Sequence, residues 1–266
     1  MTIHYNNDSL IGIPRKENNS LYLIHPKSYP RPCFVNDYIF NLWKSSDNMT
    51  IEELLIKFFN MYKEIPNEKI KKDVIQGLLY LYNLEMIDLL GNDLEVIKAM
   101  SDNKTAIVNE CDFRAAFHYL VQRGESNGFV YDFKLDKQLE ANQIKEFYNI
   151  PAMRANQIHL EELYIKIMSA RGMLNGVAGI CILNNGNVCY ITFIATESDD
   201  LFVTAINEVK SFMLSKNIEI IKIKSKNEKL INLLLKDKFL IEAVLLDEAE
   251  NEEKIYIIRS SQNDYQ

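Results

Sequence analysis

Residues 197–202 read Glu-Ser-Asp-Asp-Leu-Phe and join a strand-like run, Tyr190–Thr196, to a helix-like run, Leu201–Ser215. Backbone N–H groups at the start of a helix form an anion site, and phosphate sites of this kind use glycine-rich turns. This junction has no glycine and no basic residue, but three carboxylates. Acidic side chains here can cap the N–H groups and repel a second anion, each close like-charge contact costing ~1 kcal/mol or more. The junction therefore predicts a site that disfavours a nucleotide diphosphate.

Candidates for acid–base chemistry are few. Glu197 lies at the junction and is the candidate general base, with Glu161 and His159 as alternatives that the sequence leaves open. Glu161 and His159 fall in an amphipathic run, residues 157–168, which predicts a helix with these side chains on its solvent face. The sequence contains no Ser/His/Asp set, no phosphate-binding loop and no metal-ligand spacing, so no metal site is predicted.

Two of the four cysteines, Cys181 and Cys189, flank the hairpin signal Asn184-Asn185-Gly186-Asn187. A two-residue turn at Asn185-Gly186 would pair Cys181 with Tyr190, and Cys189 with Ile182. Adjacent strand residues face opposite sides of a sheet, so the two thiols would point apart. Reduced, buried cysteines are therefore predicted.

Composition excludes several classes of protein. The chain has 266 residues, a net charge of −7 and 47% hydrophobic residues, which is typical of a soluble globular protein of about two domains. The acidic balance argues against a nucleic-acid partner. No apolar run approaches the ~20 residues of a membrane span, and the N-terminus lacks the apolar core of a signal peptide. A cytoplasmic location without a membrane partner is predicted.

The chain divides into three parts by pattern. Residues 1–93 contain short, proline-punctuated strands, then three helices and a closing strand or wing at Leu84–Leu90. The second of these helices begins with a capping-box sequence, Thr50-x-x-Glu53. Residues 94–128 predict a helical connector. Residues 129–266 alternate strands and helices and predict a mixed α/β sheet.

The first part resembles the PqqD family, the recognition element of ribosomal-peptide maturation systems. The resemblance rests on short motifs at matching spacing: Tyr22–Pro26, Phe34-Val35-Asn36, Ser46-Asp47-Asn48, Thr50–Leu54, and Asp73-Val74 with Leu78 and Leu81. Asn48 stands where the family has glycine, and asparagine tolerates the left-handed conformation that the turn requires. The fold class implied is a winged-helix domain, α+β, followed by the α/β part.

The PqqD resemblance implies that a leader peptide adds as a strand beside Cys33, Phe34 and Val35 and packs on the third helix. That helix has a second apolar stripe, and the implied contacts are Lys71, Ile75, Leu79 and Tyr82. The lysine would suit an acidic leader. The alternative is that this stripe packs on the connector or on the C-terminal domain, and the sequence leaves both open.

From Phe129 onward the chain resembles the GNAT acyltransferase superfamily. Residues 227–239 align without a gap to its Asn-x-x-Ala-Ile-x-Leu-Tyr-x-x-x-Gly-Phe helix, retaining Asn227 and Phe239. The family's general-acid tyrosine falls on Leu234, and its glycine falls on Lys238. Its coenzyme A loop is replaced by the acidic junction. If the domain is active, the resemblance implies acetyl-CoA or another acyl-CoA as cofactor, held at Ile194, Thr196 and Asn227.

The sequence therefore predicts a peptide-maturation protein that binds a precursor leader peptide and has a degenerate acyltransferase domain, serving as scaffold or divergent modifier, with a maturation enzyme as possible partner. One alternative is an active acyl-CoA-dependent N-acyltransferase that modifies the bound peptide. Another is a winged-helix transcription regulator with a ligand-sensing domain, which the 13 acidic against 10 basic residues of positions 1–95 disfavour. Whether the protein is an enzyme is left open, because the glycine loop and the general-acid tyrosine are both unmatched.

Overall fold

The computed structural model describes residues 3–5, 9–18, 20–27, 32–89, 104–126, 128–169, 173–183, 186–247 and 253–261. The chain forms two compact units. The first comprises Met1–Ser101, Asn109–Arg114 and Asn149–Pro151, and the second comprises Asp102–Val108, Ala115–Tyr148 and Ala152–Gln266. The predicted connector is thus divided between the two units. Its first residues and the turn residues Asn184 and Asn185 lie outside the described ranges.

The first unit contains a three-stranded antiparallel sheet and three helices. The strands of the sheet pair in the order β2-β3-β4, and a separate pair joins β1 to β5. The closing strand predicted at Leu84–Leu90 is therefore β5, and it pairs with the N-terminal strand. The elements are β1 (Ile3–Tyr5), β2 (Arg15–Lys16), β3 (Leu21–Ile24), β4 (Cys33–Asn36), α1 (Asp37–Ser45), α2 (Ile51–Met61), α3 (Asn67–Asn83) and β5 (Ile87–Leu89).

Local sequence signals account for the helix ends of this unit. Asn36 caps α1 by accepting a hydrogen bond from the Ile39 N–H, 2.8 Å away. Thr50 and Glu53 form the predicted capping box at the start of α2. The turn before α2 has Asn48 at φ 55°, the left-handed conformation predicted for it. These caps specify where α1 and α2 begin, whereas α3 begins after Pro66 without a side-chain cap.

Helix α3 packs its first apolar stripe into the core. Ile70, Val74 and Leu78 are all buried. Gly77 allows α3 to approach α1 closely, because a Cβ atom there would come within 2.5 Å of Leu42 Cδ2. This is the stripe that a three-helix core needs.

The second unit is built on a mixed sheet whose main path has the order β13-β14-β12-β11-β10-β9-β6, with β7 paired to β11 and β8 paired to β7. This mixed α/β architecture is consistent with the predicted acyltransferase-type fold. The elements are β6 (Ala106–Ile107), α4 (Phe113–Glu125), β7 (Phe129–Asp132), β8 (Lys137–Gln138), α5 (Ala141–Phe147), α6 (Ile150–Ile158), β9 (Leu163–Met168), β10 (Leu174–Ile182), β11 (Val188–Thr196), α7 (Phe202–Leu214), β12 (Ile220–Ser225), α8 (Glu228–Lys236), β13 (Leu240–Asp247) and β14 (Glu253–Ser261).

The β10–β11 hairpin has the register that the Asn-Gly signal predicts. Cys181 lies opposite Tyr190, and Ile182 lies opposite Cys189. The four cysteines are free thiols; Cys189 is buried as predicted, whereas Cys33, Cys111 and Cys181 are only partly buried. One predicted element is wrong: residues 157–168 are not one helix, because α6 ends at Ile158 and β9 begins at Leu163. The apolar positions of residues 163–168 fit both the helical and the strand period. The segment forms a strand because it pairs with β10.

Among the described residues, no helix is both long enough and apolar enough to cross a membrane.

Candidate functional site

The strand that precedes the acidic junction, β11, changes its neighbour along its length. On one side it pairs with β10 from Cys189 to Thr196, with one register shift beside Thr192. On the other side it pairs in parallel with β12 at Val188–Tyr190, and then antiparallel with β7 at Phe193–Thr196. The β7–β8 hairpin thus takes the place beside β11 where pairing with β12 has ended.

Asp136 connects this hairpin to the end of β12 by hydrogen bonds. Its carboxylate accepts hydrogen bonds from the Tyr131 hydroxyl at 2.9 Å, from the Ser225 hydroxyl at 2.6 Å and from the Lys226 backbone N–H. Asp136 has φ 51°, a left-handed conformation that aspartate tolerates better than most residues. The bonds join two segments that are about ninety residues apart in the sequence.

Hydrophobic packing makes the hairpin a permanent part of the unit. Phe129, Val130, Tyr131 and Phe133 are each at most 7% exposed. The Phe129 ring meets the Phe202 ring edge-on at 5.7 Å between centroids. Burying four such side chains contributes on the order of 6–12 kcal/mol. This is comparable with the whole free energy of unfolding of a typical domain. The population of molecules in which the hairpin has detached from β11 is therefore negligible.

A cleft of about 500 Å³ opens between the hairpin, the acidic junction and the start of α8. It lies at the carboxyl ends of β11 and β12, the position at which open α/β sheets bind ligands. Its lining residues are Gly128, Phe129, Tyr131, Asp136, Lys137, Gln138, Ser198, Asp199, Asn227, Lys229 and Leu230. A second cleft of about 630 Å³ shares Tyr131, Asp136 and Asn227 with the first, and these three residues form the wall between them.

Two residues of the hairpin segment, Tyr131 and Asp136, line both clefts. Of these two, Tyr131 has the hydroxyl that can donate a proton. Burial, reinforced by the hydrogen bond to Asp136, raises the pKa of Tyr131 to about 12. The hydroxyl therefore keeps its proton at neutral pH. Sequence reasoning missed Tyr131 and Asp136; the available signal was the polar turn Asp132–Lys137 after a strand.

The acidic junction is better compensated than the sequence indicates. The Asp199 carboxylate accepts a hydrogen bond from Lys229 Nζ at 2.7 Å, and this contact lowers the pKa of Asp199. Glu197 forms a looser ion pair with Arg123, 3.7 Å away. Both bases lie far from the junction in the sequence, which is why the sequence shows no base there.

The predicted capping of the next helix by acidic side chains is not observed. Ser198 precedes a single 3-10 turn, Asp199–Leu201, and no side chain caps either this turn or α7. Instead, the Thr196 hydroxyl donates to the Ser198 carbonyl at 2.7 Å. Of the three junction carboxylates, Asp199 lines the cleft, and Lys229 lines it as well.

The predicted cofactor residues separate into two groups. Ile194 lies between Ala178 and Tyr131, and Thr196 lies between Gly176 and Phe129, so their strand has a paired neighbour on each side. Their backbone is closed to a donor in this arrangement, and the side chains are fully buried. Asn227 does line both clefts, where it also caps α8 by accepting from the Leu230 N–H at 3.3 Å.

The candidate base Glu197 does not line either cleft and has a side chain that is 68% exposed. The alternatives Glu161 and His159 are exposed in the turn after α6. None of the three predicted candidates lines a cleft, so none is assigned as a general base.

A polar cluster, buried except for Lys134, lies on the sheet beside β11 and was also missed. Its members share hydrogen bonds to two carboxylates: Tyr148 to Asp132 at 2.5 Å, Tyr164 to Glu162 at 2.7 Å, Lys134 to Glu162 at 2.9 Å, and Thr192 to Glu162. Gly179 makes room for it, because a Cβ there would come within 2.6 Å of the Thr192 hydroxyl oxygen. Burial, with the nearby carboxylates, raises the pKa of both tyrosines well above the usual range. The cluster is satisfied internally, as buried polar groups need to be.

The predicted peptide site of the first unit begins with an outer strand. Among the described residues β4 pairs with β3 alone, so its other edge is open. Phe34 is 58% exposed and Val35 is buried. Burial raises the pKa of the Cys33 thiol to about 12, which keeps it neutral.

A groove of about 440 Å³, mostly apolar, runs along α3. It is lined by Glu68, Lys71, Lys72, Ile75, Gln76, Leu79, Asn109, Glu110 and Cys111. Three predicted peptide contacts, Lys71, Ile75 and Leu79, are therefore together in it, whereas Cys33, Phe34 and Val35 are not part of its lining.

The fourth predicted contact on α3, Tyr82, is used in packing. The Arg114 guanidinium lies over its ring at 4.2 Å and donates to its carbonyl at 3.2 Å. Packing of the second stripe on the connector is therefore observed at Tyr82, and peptide binding by the rest of the stripe stays a prediction. The segment 109–114 covers the Tyr82 end and leaves the Ile75 end as a groove.

Comparison with known proteins yields structural likeness only. No family model matches the chain, and no curated protein is significantly similar to it. A crystal structure of spermidine N-acetyltransferase from Vibrio cholerae in complex with CoA and spermine has 15% identity and a TM-score of 0.43, covering 61% of this chain and 96% of that chain. A mutant of the same enzyme has 16% identity and a TM-score of 0.42, covering 61% and 95%. TM-scores below 0.5 do not establish a shared fold, so the fold of the second unit is defined by its own strand order and register. None of these likenesses supports a PqqD-like domain, which stays a prediction.

Proposed function

We propose that this protein is a peptide N-acyltransferase, with an acyl-donor site in the cleft of the second unit and a peptide site in the first. One observation carries the proposal: a 500 Å³ cleft at the carboxyl ends of β11 and β12 combines a protonated Tyr131 with Asn227 and Lys229. The donor class, a coenzyme A thioester, comes from the resemblance of residues 227–239 to the GNAT superfamily.

The lining of the cleft fits an anionic donor better than the junction does. Lys137 and Lys229 line it together with Asp136 and Asp199, so the charges of the lining balance, whereas the junction itself has three carboxylates and no base. The start of α8, a nine-residue helix, also borders the cleft at Asn227 and Lys229, and helix starts attract phosphate. The donor's phosphates would therefore meet α8 rather than α7, whose start follows the acidic turn.

The residues of this chain supply proton control at the reaction centre. An acyl-CoA would bring an activated acyl group; transfer breaks its C–S bond and forms a C–N bond, the amine loses one proton and the sulfur gains one. A proton that Tyr131 gives to the sulfur is thus replaced by the one that the amine loses. Tyr131 holds a proton on its hydroxyl at neutral pH and donates it to Asp136 at 2.9 Å in this structure, so in the proposed reaction the hydroxyl turns from Asp136 to the sulfur. Tyr131 is thus assigned the role of general acid. The position that has this role in the GNAT superfamily is Leu234 here, which has no proton to donate.

The first unit supplies the peptide site in this proposal. The open edge of β4 can accept an added strand, and the apolar groove on α3 with Lys71 and Lys72 suits a segment that mixes apolar and acidic residues. A precursor leader peptide is the partner that the PqqD resemblance implies. Tethering the peptide site to the transfer domain raises the local concentration of the acceptor. A maturation enzyme remains a proposed further partner.

A non-catalytic scaffold is the second candidate, and one observation favours it. The backbone of β11 at Phe193–Thr196 is paired on both sides, so a donor cannot add beside it as a further strand. A protein that keeps this fold but binds no donor would still be able to present a peptide to a partner enzyme.

Titration with CoA, acetyl-CoA and longer acyl-CoA thioesters separates the two candidates. The proposed enzyme shows saturable binding by calorimetry and a thermal midpoint that rises with donor concentration. Lys229→Ala should weaken donor binding several-fold. Lys224→Ala is the matched control, since Lys224 is an exposed lysine of β12 outside both clefts. Absence of saturable binding for every donor would reject the enzyme and leave the scaffold.

A further inference from the structure

Strand β13 is an outer strand of the large sheet with an unusual concentration of exposed apolar side chains. Among the described residues it pairs with β14 alone. Leu240, Ile241, Val244 and Leu245 are each 44–47% exposed, within six consecutive positions. At the opposite end of the same sheet, β6 is only two residues long. One edge of the sheet is thus short, and the other is long and apolar.

A long apolar edge strand offers unpaired backbone groups to any other strand, and proteins usually shield such edges. Shielding here is slight. A register shift lies between Ile241 and Ala243, and Glu242 forms an ion pair with Lys222 at 2.7 Å. The four apolar side chains remain exposed despite these features, which indicates that a partner covers them.

The order of residues along β13 is complementary to itself. If two copies pair antiparallel about a two-fold axis between Glu242 and Ala243, Leu240 lies opposite Leu245, and Ile241 lies opposite Val244. The register shift at Glu242 puts Leu240 and Leu245 on one face of the sheet and Ile241 and Val244 on the other, as residues directly opposite each other require. Glu242 and Ala243 lie at the axis, and this register places no two like charges face to face. A two-fold interface requires this kind of self-matching surface.

Charge at the two ends of the strand favours the same arrangement. Lys238 precedes β13, and Asp247 is its last residue. Antiparallel pairing brings the start of one copy to the end of the other, and hence the basic end to the acidic end. Parallel pairing would bring like ends together.

We propose that β13 is the interface of a homodimer, formed by antiparallel pairing of β13 with β13 of a second copy. The two sheets then continue as one across the two-fold axis. The occupant of this edge is a second copy of the chain rather than a foreign strand, because the match of apolar and charged positions is between the strand and itself.

Light scattering coupled to size exclusion tests the dimer directly. The wild-type chain should have twice the monomer mass at micromolar concentration. The double variant Ile241→Lys, Val244→Lys should have the monomer mass, with an unchanged circular dichroism spectrum. Ile158→Lys is the matched control, because Ile158 is a 59% exposed isoleucine at the end of α6, and it should remain dimeric. A monomeric wild-type chain, or a dimeric double variant, rejects the proposal.

Disulfide trapping tests the register without altering the fold. Chains carrying Ile241→Cys are mixed with chains carrying Val244→Cys and then oxidised. The proposed pairing places these two cysteines directly opposite each other, at a separation that a disulfide spans. The mixture should give a cross-linked dimer, and each variant alone, like the wild type with its own cysteines, should give much less. Equal cross-linking in all four samples contradicts this register.

Discussion

Strands β4 and β11 both contain residues predicted to hold a ligand, and the two strands differ in whether an edge is open. Strand β4 is the outer strand of a small sheet and has one open edge. Strand β11 is central, with β10 on one side and β12 followed by β7 on the other. A peptide can add to β4, whereas nothing can add to β11 unless buried aromatic side chains leave the core.

This difference separates backbone recognition from side-chain recognition within one chain. In the first unit, hydrogen bonds from an unpaired strand are available, and specificity would come from the groove on α3. In the second unit the strand edge is occupied, so a ligand must be held by the side chains and helix start that line the cleft. The predictions below test each half of this contrast.

The largest effect is expected for Phe129→Ala. Phe129 is 7% exposed and packs on Tyr131 and Phe202, so its truncation should lower the free energy of unfolding by about 3–5 kcal/mol. Urea unfolding followed by circular dichroism measures this. Leu135→Ala, in the same hairpin but 48% exposed, should cost far less. If both variants cost under about 1 kcal/mol, the edge of β11 is not held closed by the core.

The next effect concerns chemistry in the cleft. Tyr131→Phe should slow acyl transfer by roughly 10²-fold or more, because it removes the proton donor, while donor affinity changes little. Steady-state rates measured alongside calorimetric donor binding separate the two. Tyr256→Phe is a suitable control, since Tyr256 does not line either cleft. A transfer rate equal to that of the wild type would remove Tyr131 from the mechanism.

A smaller effect is expected at alkaline pH. The pKa of Tyr131 is raised from 10.0 to about 12, so above pH 10 the unfolded chain loses this proton while the folded chain keeps it. Stability contributed by the protonated form is therefore complete below pH 10 and is lost as pH rises, on the order of 1 kcal/mol near pH 11. Unfolding midpoints of wild type and Tyr131→Phe at pH 9 and 11 show it: the variant should lose less. The same loss in both proteins would mean that Tyr131 is not responsible.

The smallest effect on stability is expected at the open edge. Phe34→Ala should change the free energy of unfolding by less than about 1 kcal/mol, because the side chain is 58% exposed. Binding of peptides selected from a displayed random library should nevertheless fall, since Phe34 lies on the strand that accepts them. Ile56→Ala, at 60% exposure on α2, is the control. Undiminished peptide binding by Phe34→Ala would move the peptide site away from β4.

The sequence by itself determined the features that depend on near neighbours in the chain. Thr50 and Glu53 specify a helix start, and the Asn-Gly signal specifies which residues face each other in the β10–β11 hairpin. Asn227 caps the helix that the alignment assigned to it. Each of these rests on hydrogen bonds between residues only a few positions apart, or on a turn that fixes register.

Only the tertiary structure decided which edges are open and which charges meet. Phe193 pairs with Asp132, and Asp199 meets Lys229, across separations of thirty residues or more. The apolar residues of β7 are equally compatible with an outer or an inserted strand, because alternation gives the face of a strand but not its neighbour. The neighbour is chosen by how the aromatic side chains fill the core, and this choice closes β11 and leaves β4 open.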